Sequence, residues 1–193
     1  MKTLITLICL GAVAAASQPV VAQPSAPDDE LKKICQTLLC RQPAPIRLRL
    51  AGGEKFEMTP SFPTPIVAGE IVTVYPGETI HIEARVERDR LVDLKAVETA
   101  RHLDRTLTFR LEQDARIGDG TNMVLKVESP FPGVLKFRLG MMLPTGDDLL
   151  KTSACPVRGG TGSFEHWPEP IFQIVATDFR FVASDSPAAN TCE

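Results

Sequence analysis

A chain of 193 residues, 44% of them hydrophobic and 23% charged, has the composition of one globular domain and is too short for two full-size domains. Its formal net charge of −3 excludes a strongly basic module that holds nucleic acid through its phosphates. The same composition excludes collagen, a coiled coil and a polytopic membrane protein. None of these quantities points to a particular activity.

Residues 1–22 have the three-part layout of a secretory signal peptide. Lys2 provides a positive start, residues 4–16 form an apolar run, and Val20 and Ala22 place small residues at the −3 and −1 positions of a cleavage site. The run is shorter than the ~20 residues that cross a bilayer, so a permanent anchor is the less favoured interpretation. Cleavage after Ala16 is an alternative. We therefore expect a periplasmic or secreted protein with no membrane span once the signal is removed.

The number of cysteines agrees with export. Removing the signal, which contains Cys9, leaves an even set of four, and an even set in an exported chain predicts two disulfides. Four cysteines allow three pairings, and we favour Cys35–Cys40 together with Cys155–Cys192. A four-cysteine metal site is the competing interpretation, but the spacing lacks the second close pair of a zinc ribbon.

A short helix is predicted over residues 28–39, after a Pro- and Ser-containing leader. Apolar residues at 31, 34, 35, 38 and 39 fall on one helical stripe, and three acidic residues occupy the first turn. A disulfide between Cys35 and Cys40 requires this helix to unwind by about Leu38. We assign residues 23–45 to the leader and helix, and residues 46–193 to the main domain.

From Ile46 onward the hydrophobic period changes from helical to two, which is typical of β-strands. Residues 46–58 read as a hairpin turning at Gly52 and Gly53, and the final strand has a predicted kink near Asp178. Eight or nine short strands without intervening helices predict an all-β, mainly antiparallel β-sandwich. The remaining predicted strands cover residues 71–75, 80–86, 91–97, 106–112, 123–128, 135–141 and 171–182.

The segment 72–82, VTVYPGETIHI, resembles the Pro-Gly-Glu-Thr turn between early strands of bacterial immunoglobulin-like sandwiches. The resemblance covers only this segment, and it implies an immunoglobulin-like β-sandwich. It implies no functional residue.

Residues 143–170 break the alternating pattern and are predicted to form a long irregular loop, rich in glycine and proline. Long loops in small domains are often functional. This one contains Glu165, His166 and Trp167, which we single out as the partner-binding residues. The competing interpretation is that Trp167 anchors the loop to the sheet.

The sequence contains no catalytic motif, and we assign no catalytic residue, cofactor or metal. We expect a non-enzymatic binding or accessory module for an envelope protein or polymer. One alternative is a hydrolase-like enzyme with His166 as general base, oriented by Glu165 or Asp178. A second is a soft-metal protein that uses histidine and methionine ligands, although no two histidines have a ligand spacing.

Overall fold

The computed structural model describes residues 27–193. The predicted signal peptide and the beginning of the leader lie outside the described residues. Helix α1 covers Pro27–Ile34, and the chain then turns instead of continuing to residue 39. This early end brings the Cα atoms of Cys35 and Cys40 to 5.5 Å and permits their disulfide. Across residues 27–193, no helix has the length and apolar character needed to cross a membrane.

The rest of the described chain is mostly β-structure, joined by short turns and three 3-10 segments at Ala51–Gly53, Leu103–Arg105 and Pro187–Asn190. The strands predicted from alternation are present, with small differences at their ends. In chain order the strands are β1 (Cys40–Arg41), β2 (Ile46–Arg49), β3 (Lys55–Met58), β4 (Thr64–Pro65), β5 (Val67–Ala68), β6 (Ile71–Val74), β7 (Thr79–Glu87), β8 (Arg90–Val97), β9 (Thr106–Gln113), β10 (Met123–Ser129), β11 (Val134–Met142), β12 (Leu150–Thr152), β13 (Val157–Arg158), β14 (Thr161–Trp167) and β15 (Gln173–Val182).

One large antiparallel sheet dominates the fold and has two halves. The first half has the order β8-β7-β9-β10-β14. In the second half β15 pairs with β11 and β6, β11 pairs with β12 and β13, and β6 pairs with β5. A single residue pair, Arg90 with Arg180, joins the halves. The hairpin β2–β3 and the pair β1–β4 are separate small sheets, so the prediction of a mainly antiparallel all-β chain is confirmed.

The hydrophobic core lies between the two halves. Phe109 on β9 contacts Phe137 on β11 and Phe179 on β15, with ring centroids 6.1 and 6.2 Å apart. All three side chains are almost fully buried. These edge-on ring contacts join strands from opposite halves, so burial between the halves stabilises strands that would be marginal alone.

The Pro-Gly-Glu-Thr turn fixes the N-terminal segment to the sheet. Gly77 has a φ of 85°, which favours glycine, and the turn presents the Glu78 carboxylate. That carboxylate accepts hydrogen bonds from Arg41 Nε at 2.7 Å and from the Tyr75 backbone N–H at 2.9 Å. The Arg41 guanidinium also lies 4.4 Å from the centre of the Tyr75 ring. The turn residues therefore serve the fold.

Strand β15 has the predicted irregularity near Asp178. Asp178 has a φ of 55°, and the pairing register between β11 and β15 shifts between Lys136 and Arg138. A bulge of this kind bends a strand and changes which side chains share a face. Here it brings Asp178, Arg138 and Arg180 together.

The prediction of one irregular loop over residues 143–170 is wrong for most of the stretch from residue 150 onward. This stretch contains β12, β13 and the seven-residue strand β14. Gly159 makes the turn into β14 possible, because a Cβ atom there would lie 2.2 Å from the Phe131 backbone oxygen. Glycine and proline in the sequence therefore mark the turns between short strands and not one continuous loop.

Both predicted disulfides are present. The second joins Cys155 to Cys192 with a Cα–Cα distance of 4.0 Å. Beside it, Ala154 and Glu193 exchange two backbone hydrogen bonds of 2.9 Å. The Glu193 carboxylate lies 2.7 Å from Nζ of Lys136, whose side chain is only 3% exposed. A covalent bond and a backbone pair thus hold Cys192 and Glu193 against residues 154–155, and an ion pair holds Glu193 against β11.

Candidate functional site

Strand β14 presents two chemically different faces. Successive side chains of a strand point to opposite sides of the sheet. Glu165 and Trp167 therefore point into the core, whereas Phe164 and His166 point outward. The three residues predicted to contact a partner are divided between these faces, and only His166 of the three is exposed.

The inward face of β14 carries structural hydrogen bonds. Trp167 is 7% exposed and its indole Nε1–H donates to Thr152 Oγ1 at 2.7 Å. The buried carboxylate of Glu165 accepts a 2.6 Å hydrogen bond from the backbone N–H of Cys155. Burial raises the pKa of Glu165, because the charged form loses its hydration. These contacts tie β14 to the segment that contains the Cys155–Cys192 disulfide.

The outward face carries an exposed aromatic ring. Phe164 is 56% exposed, and Nζ of Lys126 on the neighbouring strand β10 lies 5.9 Å from the centre of its ring. Lys126 in turn pairs with Glu128 at 2.7 Å. Strand β14 ends the sheet order and pairs only with β10 in the described part of the chain. An exposed aromatic ring therefore lies on an edge strand beside paired charges.

A cleft of ≈ 560 Å³ adjoins this ring, between β14 and the turn that follows β9. Phe164 and His166 line it from β14, and Asp114 and Arg116 line it from the turn. Hydrogen bonds from the Arg116 side chain and backbone lower the pKa of Asp114 to about 2, so this carboxylate is charged at neutral pH. The cleft thus combines one apolar ring with a charged rim.

Asp114 is a carboxylate that interacts with His166 across the cleft, since a Coulombic interaction with His166 contributes to the lowered pKa of Asp114. Val124 lies between His166 and Glu112 in the pairing register, which places these two residues about 10 Å apart. Glu165 points to the opposite side of the strand and bonds Cys155. Asp178 is on β15, where it accepts a hydrogen bond from Arg180. Neither carboxylate of the hydrolase hypothesis is brought to His166.

The three histidines lie on different parts of the structure. His81 is on β7, where its Nδ1 is 3.1 Å from Thr108 Oγ1, and His102 precedes the 3-10 turn Leu103–Arg105. His166 is on β14. Within residues 27–193, no group of three or more His, Cys, Asp or Glu side chains is placed to hold a metal ion.

In comparisons with known proteins, no family model, no curated protein and no solved structure matches the chain.

Sequence reasoning missed Phe164, although a signal for it was present. Trp167, a large apolar residue, is typical of an inward position, and alternation from it places residues 165 and 163 inward and 164 outward. The signal was hidden because Glu165, a charged residue, points into the core. An ordinary half-buried strand has apolar residues inward and polar residues outward. Phe164 and Glu165 have the reverse arrangement.

Proposed function

We propose that this chain is an exported binding or accessory module, periplasmic or secreted, with an immunoglobulin-like β-sandwich fold. Its role is to contact an envelope protein or polymer and not to catalyse a reaction. The contact surface is the outer face of β14, which we define by Phe164, His166 and the adjoining cleft. The observation that carries this proposal is the 56% exposure of the Phe164 ring on an edge strand.

An aromatic anchor is the residue type that most often dominates a protein interface. Burying such a ring releases a large apolar surface from water, while a rim of polar groups excludes solvent around it. Phe164 has that setting, with Lys126 against its ring and Asp114 and Arg116 across the cleft. The rim charges are already paired with one another, so a partner can cover them without meeting an uncompensated buried charge.

Export is supported by the two disulfides, which persist in oxidising compartments and are rare in the cytosol. The immunoglobulin-like assignment is supported by the face-to-face packing of the two half-sheets and by the Pro-Gly-Glu-Thr turn. The fold class alone supports a binding role only by analogy. The exposed Phe164 ring is the observation that assigns this role to one surface, the outer face of β14.

A capture experiment tests the proposal. The immobilised wild-type protein, Phe164→Ala and Leu103→Ala are each incubated with envelope extract, and captured components are quantified by mass spectrometry. Leu103 is the control, because it is 72% exposed and lies near Thr161 and Gly162 at the start of β14, but outside the cleft that Phe164 and His166 line. We expect Phe164→Ala to lose a component that Leu103→Ala retains. Identical capture profiles for the three proteins would contradict a binding role for this face.

A further inference from the structure

Cationic side chains concentrate on the outer face where β8 of the first half-sheet meets β15 and β11 of the second. Arg180 on β15 lies directly opposite Lys136 on β11 and directly opposite Arg90 on β8. Like charges in opposed positions of a sheet destabilise it, so neighbouring carboxylates must offset this repulsion. Two carboxylates, those of Asp178 and Glu193, lie among these cations.

Arg180 and Lys136 are fully engaged by those carboxylates. Arg180 donates hydrogen bonds to Asp178 at 2.6 Å and to Glu193. Lys136 lies 2.7 Å from the Glu193 carboxylate and donates to the Thr191 backbone oxygen at 3.0 Å. Hydrogen bonds from Lys136 and Arg180 lower the pKa of Glu193 to about 2. These two cations therefore hold the fold together and are not free for a ligand.

Arg90 and Arg138 are in a different position. Nη2 of Arg90 lies 3.2 Å from Asp178 Oδ1, and Nε of Arg138 lies 3.4 Å from Asp178 Oδ2, yet neither contact has hydrogen-bond geometry. Arg90 also approaches Glu70 at 3.6 Å. Their side chains are 43% and 65% exposed. Two guanidinium groups thus lie beside one carboxylate that already accepts a hydrogen bond from Arg180, and both side chains remain partly exposed to solvent.

We propose that Arg90 and Arg138 form a binding site for the carboxylate groups of a polyanionic polysaccharide. The planar guanidinium group binds a carboxylate through two parallel hydrogen bonds, and two such groups side by side hold one oxyanion or two neighbouring ones. Asp178 orients both guanidiniums from below, as a positioning residue. This site is separate from the Phe164 face and goes beyond the function proposed for it.

The surrounding surface extends the positive charge along the strands. Lys151 on β12 shares a face with Gly140 of β11, and Arg158 on β13 shares a face with Val134 of the same strand. Both cations are exposed. A row of cations across several strands fits an extended polymer better than a single small anion.

The strands β7, β9 and β10 show a different arrangement of charge. Four exposed cations on or beside these strands each pair with a carboxylate, whereas Lys95 on β8 has no ion pair within the described part of the chain. The pairs are Arg85 with Asp93, Arg105 with Glu83, Arg110 with Glu112, and Lys126 with Glu128. The chain as a whole has a net charge of −3, so the Arg90–Arg138 face opposes the overall sign.

A polysaccharide fits this face better than a lipid bilayer does. The exposed loop residue Leu149 lies over Gly140 at the edge of the face, but Asp147 and Asp148 directly precede it and are also exposed. Inserting this loop into an anionic bilayer would bring two carboxylates against the negative headgroups. A soluble polymer does not require that approach.

Isothermal titration calorimetry of the full mature chain with polygalacturonate, at low salt, tests the site. We expect binding that weakens as salt rises, and a loss of about tenfold or more in affinity for the double variant Arg90→Gln, Arg138→Gln. The matched control is Arg47→Gln, Arg85→Gln, which removes the same charge from two exposed, paired arginines elsewhere. Phe164→Ala should bind polygalacturonate with the same affinity as the wild type. The proposal for the Arg90–Arg138 site can therefore be contradicted without contradicting the proposal for the Phe164 face, and the reverse.

Two further binding measurements, with a neutral polymer and with lipid vesicles, distinguish between classes of ligand. Dextran, a neutral polymer, should not bind, and vesicles of phosphatidylglycerol and phosphatidylcholine should bind more weakly than polygalacturonate. Stronger binding to the vesicles, no binding to polygalacturonate, or an equal loss in both double variants would overturn the proposal. If the double variant loses its folded circular dichroism spectrum, Arg138→Gln alone is used, since Arg138 has the more exposed side chain.

Discussion

The two faces of strand β14 have opposite roles, although their residues alternate along one seven-residue segment. The inward residues Glu165 and Trp167 are buried and hydrogen-bonded to the segment that leads to the Cys155–Cys192 disulfide. The outward residues Phe164 and His166 line an open cleft. Burial and hydrogen bonding thus separate residues that serve stability from residues available to a partner, even where they are adjacent in sequence.

Trp167→Ala should show the largest effect on the inward side. Deleting a buried tryptophan removes its packing, leaves a cavity and leaves Thr152 without its indole donor, which together cost about 3–5 kcal/mol. Urea unfolding of the variant measures this loss. A change below about 1 kcal/mol would show that the inward face does not support the fold as described.

Removing the Cys155–Cys192 disulfide by a double substitution to alanine is the next largest change. This bond closes a separation of 37 residues, against 5 for Cys35–Cys40, and loop-closure entropy then gives about 4 kcal/mol against about 2 kcal/mol. The Cys35–Cys40 double variant is therefore the control in parallel denaturant titrations. Equal losses would mean that the C-terminal bond has no special role in supporting β14.

Glu165→Gln tests the structural role of the inward face of β14 through the pH dependence of the free energy of unfolding. Because burial raises the pKa of Glu165 in the folded state, its favourable contribution to stability is complete below about pH 4.5 and is lost as pH rises through the raised pKa. Glutamine keeps an acceptor for the Cys155 N–H but does not ionise. We expect the variant to equal the wild type in stability at pH 4 and to exceed it at pH 7. A wild type that gains stability relative to the variant as pH rises would reverse this sign.

Phe164→Ala should have the smallest effect on stability. The ring is more than half exposed, so its removal should change the free energy of unfolding by no more than about 0.5 kcal/mol. The measurement is the same urea titration as for Trp167→Ala, on the adjacent face. A loss comparable with that of Trp167→Ala would place Phe164 among the structural residues and remove the distinction between the faces.

Much of the fold could be predicted, because most strands alternate in the ordinary way. Ile80 and Ile82 point inward beside His81, and Leu107 and Phe109 point inward beside Thr108, so the period and the burial agree. The turn residues also acted as expected at Gly77. The kink near Asp178 and both disulfide pairings are present as predicted.

The surface sites were not predictable in the same way. In β14 the polar and apolar positions are exchanged, since Glu165 is inside and Phe164 outside, and the segment therefore looked like a loop. The Arg90 and Arg138 pair depends on a bulge and on a single residue pair between distant strands. Local sequence patterns carry no information about such long-range register.

Site-specific photo-cross-linking tests the role of the outer face of β14 most directly. Phe164 is replaced with p-benzoylphenylalanine in the full chain expressed in its own host, and Val86, an exposed residue on β7, receives the same replacement as a control. We predict that irradiation yields a discrete adduct from position 164 and none from position 86. Absence of an adduct at position 164, or the same adducts from both positions, would contradict the assignment of this face to partner binding.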